Sequence, residues 1–357
     1  MIHTQASSAS TTSNEPEISV VIVTWNGRRF LEPCLAAVAA QQGVTFETVL
    51  VDNASTDSSV ELVRERFPSV RIVQLPQNCG FAGGNNRGAS HARGRFLAFL
   101  NNDTIPDPGW LAALRRGIDE HAGFTLAASR IVYMHDPAVV DSAGDGMLRW
   151  GGAFKRLHGG SVEEALESRE VFGVCGAAFL ISKQVFDELG GFDEDFFASH
   201  EDVDHSYRAR LRGYRSRYVA DAVVRHHGSA TLGRISGSSV YHGQRNLEWV
   251  YVKNTPLSLI VRTLGGHVLY NLAAAAHFAR VGQMGAFARG KLAALAGLPR
   301  MLQKRRVIQR TRRVDALTIG AHLERRWVAT KLREKRFDVR LAYPERAQRV
   351  EGPADEA

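Results

Sequence analysis

The feature that most constrains this chain is an alternation of short, β-branched apolar runs with amphipathic segments over its first 120 residues. "ISVVIVT" (18–24), "FETVLVD" (46–52), "VRIVQL" (70–75) and "RFLAFL" (95–100) read as strands. They are nearly continuous in apolar residues, as expected when both faces of a sheet are covered. Residues 28–41, 58–67, 82–92 and 109–121 carry helical patterns between and after them. This order specifies a parallel sheet with helices on both faces. Ligands of such sheets sit beyond the carboxyl ends of the strands. Asn26, Asp52, Asn53 and Asp103 all follow strands, so they share that edge.

Farther on, residues 133–170 are Gly-rich and polar and suit loops and short hairpins. Order returns with "VFGVCGAAFLISK" (171–183), a helix over 201–212 and "YRSRYVADAVVRHH". The Gly/Ser-rich stretch 228–239 reads as a mobile loop and a boundary. After Pro256 the chain is Ala/Leu-rich and helical, and its longest stretch without charge is 17 residues, Thr263 to Ala279. A spanning helix needs about 20 apolar residues, so amphipathic helices lying on a membrane are expected. Packing of the same helices on the sheet domain is the competing arrangement.

The formal charge of +8 is uneven: residues 300–349 hold 16 Lys and Arg against 5 Asp and Glu, which leaves the remainder at −3. A basic segment of this kind suits anionic lipid, whereas nucleic-acid binding lacks the aromatic interleaving it would need. Residues 1–16 are Ser/Thr-rich, have no apolar signal-type run and read as a disordered leader. Cys34, Cys79 and Cys175 form no CxxC pair, consistent with a reducing cytosol. The expected organisation is therefore a leader (1–16), an α/β domain (17–237), a membrane-associating helical region (238–310) and a basic tail (311–357).

Six motifs occur in an order that resembles family 2 glycosyltransferases: "ISVVIVTWNGRRFLEPCLAAV", "VDNASTD", "NCGFAGGNNRG", "FLNNDT", "GGFDEDFF" and "EDVDHSYRARLRGY". The resemblance covers about residues 17–228 and is strongest to the bacterial rhamnosyltransferase-like branch. It implies a GT-A fold, a nucleotide-diphosphate sugar donor, a divalent metal and inversion at the anomeric carbon. The C-terminal helices would be an extension to that fold.

On the resemblance, Asp52 contacts the donor base, with Thr24, Asn26 and Asn53 beside the nucleotide. A strand-end carboxylate can accept from a ring N–H. Asp57 fits turn and N-cap chemistry instead. The glycines of "NCGFAGGNNRG" allow close backbone approach at Gly80, Asn78 and Asn85 offer donors and acceptors, and Arg87 could neutralise phosphate. No GK[ST] follows, so the stretch is not a P-loop.

Asp103 is the candidate metal ligand, since hard divalent ions take carboxylate oxygens plus phosphate and water. The family's acidic triplet often reads Asp-x-Asp; here it is Asn101-Asn102-Asp103, so one charge is absent and Asn101 or Asn102 would contact the donor. The resemblance supplies a second ligand, His226, with His227 as its adjacent rival; imidazole favours Mn²⁺ over Mg²⁺. The family's catalytic base matches Asp202, at a helix start where acids also complement the dipole. Trp150 (in the loop 144–152), Asp193, Phe196 and Glu201 are the expected acceptor contacts.

The leading expectation is an inverting transferase at the inner face of the cell membrane. It would move a sugar, with rhamnose suggested by the resemblance, onto a cell-surface or polyprenyl-linked glycan. A nucleotidyltransferase would want a better N-terminal signature than "TWNGRRF", and a non-catalytic sugar-nucleotide scaffold is supported only by Asn101.

Overall fold

The computed structural model describes residues 15–228 and 236–342. The leader up to residue 14, most of the 228–239 loop and the end of the basic tail lie outside the described residues. The first half follows the alternation in the sequence. It runs β1 (Ile18–Thr24), α1 (Arg28–Ala39), β2 (Phe46–Asp52), α2 (Ser59–Arg66), β3 (Arg71–Gln74), α3 (Gly80–His91) and β4 (Phe96–Asn101). β1 pairs in parallel with β2 and β4, and β2 with β3. Side chains alternate between the two layers: Val20, Ile22, Phe96 and Ala98 enter one core, and Val21, Leu97 and Phe99 the other.

Beyond β4 the sheet becomes mixed. The chain continues through β5 (Thr104–Pro106), α4 (Trp110–Gly117), β6 (Phe124–Tyr133), β7 (Val140–Ser142), β8 (Asp145–Met147), β9 (Ala153–Lys155), β10 (Arg169–Val171) and β11 (Ala178–Ser182). Then come α5 (Lys183–Glu188), α6 (Glu201–Leu211) and β12 (Arg215–His226). β11 lies antiparallel between β4 and β6, and the long β12 runs parallel to β6. β5 folds back antiparallel on β12 and places Thr104 opposite His226. That pairing carries the end of β12 to the edge where β4 ends.

Five further helices form most of the remainder: α7 (Gly237–Asn254), α8 (Leu257–Arg280), α9 (Met284–Ala296), α10 (Leu298–Arg310) and α11 (Ala316–Ala321). A last helix, α12, spans Trp327–Ala342. Leu247, Val250, Leu259, Met301 and Ile319 close a third core on Val203, Tyr207 and Leu211 of α6. Beneath it lies a buried ionic link. Lys253 of α7 donates to Asp204 at 2.8 Å and to Asp193 at 2.5 Å, and Arg208 also holds Asp204 at 2.8 Å. The helices are thus docked on the sheet domain, yet α8 keeps an apolar stripe in solvent (Leu257, Val261, Leu264, Val268, Leu272), 51–71% exposed. Among the described residues no helix is long and apolar enough to cross a membrane.

Candidate active site

Two parallel strand ends build the donor side of the edge. Thr24 and Asp52 are register partners, and both are buried. Asp52 accepts the Ser55 N–H at 3.1 Å, and Thr24 Oγ1 accepts the Asn102 amide at 2.9 Å. Gly27 makes that second bond possible: a Cβ there would lie 2.2 Å from Asn102 Nδ2. Asn26, at φ +51°, accepts the Thr56 N–H at 2.8 Å and ties the loop after β1 to the loop after β2. Asp57 accepts from Arg28 N–H and from Ser59, as turn chemistry requires.

The glycine-rich stretch is divided between the edge and the helix. Asn53 holds its start, donating to Gly80 O at 2.9 Å and accepting the Cys79 N–H. Asn78 accepts the Gly80 N–H at 2.8 Å. Gly80 is at φ +72°, and a Cβ would lie 2.3 Å from Phe197 O. α3, however, starts at Gly80, two residues earlier than the sequence pattern indicates. Asn85 is consequently buried inside the helix, bonded to Phe81 O, and Asn86 clamps the backbone of Phe192. Arg87 is exposed seven residues into α3, about 10 Å from its start at 1.5 Å per residue. The structure therefore does not bring Arg87 or Asn85 to the strand edge.

Asp103 and His226 meet. His226 Nε2 lies 3.4 Å from Asp103 Oδ1, and its Nδ1 lies 2.8 Å from Asp141 Oδ2. Asp141 is buried and also accepts from Lys155 Nζ at 2.7 Å. Burial alone would push the His226 imidazole down, but the two carboxylates outweigh it and raise it to about 9. A carboxylate on Nδ1 fixes the ring and leaves Nε2 for a metal, the usual support of a ligating histidine. Two ligand atoms about 2.1 Å from one ion lie about 3 Å apart at right angles, so the Asp103–His226 spacing fits a divalent ion. His227 turns away: its N–H donates to Asp103 O, and its ring packs on Phe30. The Asn101 backbone carbonyl accepts from Thr104 Oγ1.

Asp202 stands at the start of α6 over a cavity of about 390 Å³. Its Oδ2 accepts the Gly176 N–H at 2.6 Å and its Oδ1 the Val203 N–H at 2.8 Å. Burial raises its carboxyl above the ordinary range, while these two N–H donors and Lys155 pull it back. Its neighbour Asp145 is also pushed up, by burial and by the Asp202 charge. Cys175 sits with these two acids, all ligand atoms within 4.8 Å, and burial pushes its thiol up. The loop before α6 is wound, with Phe197, Ser199 and His200 all at positive φ. The buried amide of Asn246 pins it through Phe196 O, Ala198 O and Ser199 O at 2.7–3.0 Å.

The expected acceptor residues are placed elsewhere. Asp193 is committed to Lys253 and Lys304. Phe196 is fully buried against Trp249, and Trp150 packs on Trp327. Glu201 is buried beside Asp202 but does not line the cavity. Instead the cavity is lined by Asp145, Lys155, His158 and, from α12, Lys331 and Glu334. The signal for Asp141 and Asp145 was only two acids in a Gly-rich stretch without periodicity.

Residues 19–190 match the family model described as Glycosyl transferase family 2. Residues 19–190 are a family 2 glycosyltransferase domain. Among curated relatives, the N-acetylglucosaminyl-diphospho-decaprenol L-rhamnosyltransferase of Mycobacterium tuberculosis is 28% identical over 242 residues, 61% of this chain and 78% of that one. The O-antigen biosynthesis protein RfbC of Myxococcus xanthus is 29% identical over 228 residues, 60% of this chain but only 18% of that protein's length. Of the two, the M. tuberculosis protein carries the name of a rhamnosyltransferase. A solved mannosyltransferase from Pyrobaculum calidifontis, in complex with GDP-Man and Mn²⁺, superposes with a TM-score of 0.51 at 18% identity. It covers 95% of this chain and 89% of its own and shares the GT-A fold.

Proposed function

We propose that this family 2 transferase moves a sugar, with inversion, from a nucleotide diphosphate to a hydroxyl of a polyprenyl-linked or cell-surface glycan. The observation that carries this reading is one cavity bordered both by Asp202 and by Asp141, the partner of His226. A proton acceptor thus faces the same space as the carboxylate that orients His226, while Asp103 and His226 lie behind that carboxylate and outside the cavity lining. Thr24, Asn26 and Asp52 would hold the nucleotide, with Asn102 fixed beside them. Asp103 and His226 would hold a divalent ion, which when bound neutralises the diphosphate leaving group. Asp202 takes the proton of the acceptor hydroxyl as its oxygen bonds the anomeric carbon and the carbon–phosphate-oxygen bond breaks. Burial raises the Asp202 carboxyl, which makes it a stronger base than a free aspartate.

The M. tuberculosis relative's name supports rhamnose as the sugar and a lipid-linked N-acetylglucosaminyl acceptor. The α8 stripe, with 18 Lys and Arg against 4 Asp and Glu over residues 257–342, supports seating on anionic lipid at the inner face of the membrane. The test is proton NMR of a panel of nucleotide sugars, thymidine diphosphate rhamnose included, with Mn²⁺ or Mg²⁺. The expected product has the inverted anomer. Retention, or no turnover with any donor, refutes the reading. Flotation with phosphatidylglycerol vesicles but not phosphatidylcholine vesicles is the expected lipid result.

A further inference from the structure

The last helix, α12, turns two charged side chains inward while two apolar ones face solvent. Val328 and Leu332 face solvent at 49% and 51% exposure, while Lys331 and Glu334 turn inward and line the cavity under Asp202. The inward placement is firmly built. Glu334 Oε1 accepts the Lys155 N–H at 3.0 Å, Lys331 donates to Ala153 O, and the two charges pair at 2.6 Å. Trp327 packs on Trp150, and Phe337 packs on His158 at 5.1 Å between ring centres. Gly159 leaves room for Phe337, since a Cβ there would lie 2.3 Å from its ring. Just before the helix, the backbones of Glu324 and of Met147 and Arg149 exchange hydrogen bonds at 2.9 Å, clasping this segment to the chain around β8.

Turning charges inward costs stability relative to well-packed apolar side chains, even when they pair. A helix that only covered the domain would place Val328 and Leu332 inside. The pair instead presents a carboxylate acceptor and an ammonium donor to a polar cavity beside the proposed base. Sugar hydroxyls both donate and accept, so this is the chemistry that would recognise a saccharide.

We propose that α12 is the acceptor-side wall of the site, and that Lys331 and Glu334 bind the sugar ring whose hydroxyl Asp202 deprotonates. The inference rests on the transferase reading and adds a specificity element from the C-terminal region. The test uses the full chain with thymidine diphosphate present and octyl N-acetylglucosaminide as the probe. Probe Kd is read by calorimetry, and donor hydrolysis is read without acceptor. Glu334→Gln and Lys331→Met should each weaken probe binding roughly tenfold, the loss expected for a hydrogen bond to a charged group. Donor hydrolysis should fall by clearly less than probe binding does in both. Glu334→Asp should recover part of the affinity, and Leu332→Ala on the outer face should change nothing. Unchanged Kd in both inner variants overturns the proposal, as does no probe binding by the wild type. A fall in hydrolysis that matches the loss of binding also overturns it, because the pair would then only support the fold. Probe binding that depends on the pair, with no donor turnover, would sink the transferase reading but leave the wall in place.

Discussion

Lys253 is the cation on which the docking of the C-terminal helices depends most, and replacing it has a calculable cost. Its side chain is 1% exposed and lies between Asp193 and Asp204, which are 7% and 0% exposed. Lys253→Met keeps the volume and removes the charge. Two buried carboxylates then lose a shared partner, and breaking a buried pair from one side costs about 3–5 kcal/mol. Lys304 still holds Asp193 and Arg208 still holds Asp204, so about 3 kcal/mol is expected. Unfolding entropy of about 2.1 cal/mol/K per residue gives roughly 0.75 kcal/mol/K for 357 residues, so Tm should fall by about 4 °C.

The pH dependence gives an independent check on that number. Burial pushes Asp204 up, but Lys253 and Arg208 overcome it and hold its carboxyl at about 2. A depressed carboxyl stabilises the fold above the unfolded value of about 3.8, by about 2 kcal/mol here, and that gain is lost as pH falls through about 2. Without Lys253 the folded carboxyls rise, so the gap between variant and wild type should be widest near neutral pH and narrow on acidification. Calorimetric scans at pH 7.5 and pH 4.5 measure both effects. A variant within 1 °C of wild type at neutral pH, or a gap that widens in acid, would refute the argument.

Other expectations follow from single contacts. Asn246→Ala frees three carbonyls of the wound loop before Asp202 and should lower kcat roughly tenfold with donor KM unchanged, measured by steady-state kinetics. Gly27→Ala should split the Asn102–Thr24 bond, raise donor KM and cost about 1–3 kcal/mol in denaturant titration. Asp103→Asn should cost at least about 100-fold in metal-supported donor hydrolysis, while Asn101→Asp should stay within about threefold.

The strand-edge logic was legible because parallel strands force their carboxyl ends together. Thr24, Asp52 and Asp103 needed only the period of the apolar runs. The approach of His226 to Asp103 depends on β5 pairing with β12, a contact 122 residues apart between Thr104 and His226 that no local pattern announces. Asp141 was invisible because residues 133–170 have no period to place it. Arg87 belongs to the body of α3 rather than to the glycine-rich turn before it, about 10 Å along the helix from its start. Asp193 and Phe196 looked like acceptor contacts while their partners Lys253, Lys304 and Trp249 were far off in sequence. Lys331 and Glu334 fell within the expected basic tail, because only the tertiary structure reveals which side of α12 turns inward.

The central claim is that Asp202 accepts the acceptor proton in a metal-supported sugar transfer. The direct measurement is kcat for transfer by Asp202→Asn, with nucleoside diphosphate affinity measured alongside. The account predicts a fall in kcat of about 100- to 10,000-fold with nucleotide affinity within about threefold. Transfer by the variant within threefold of wild type would contradict it.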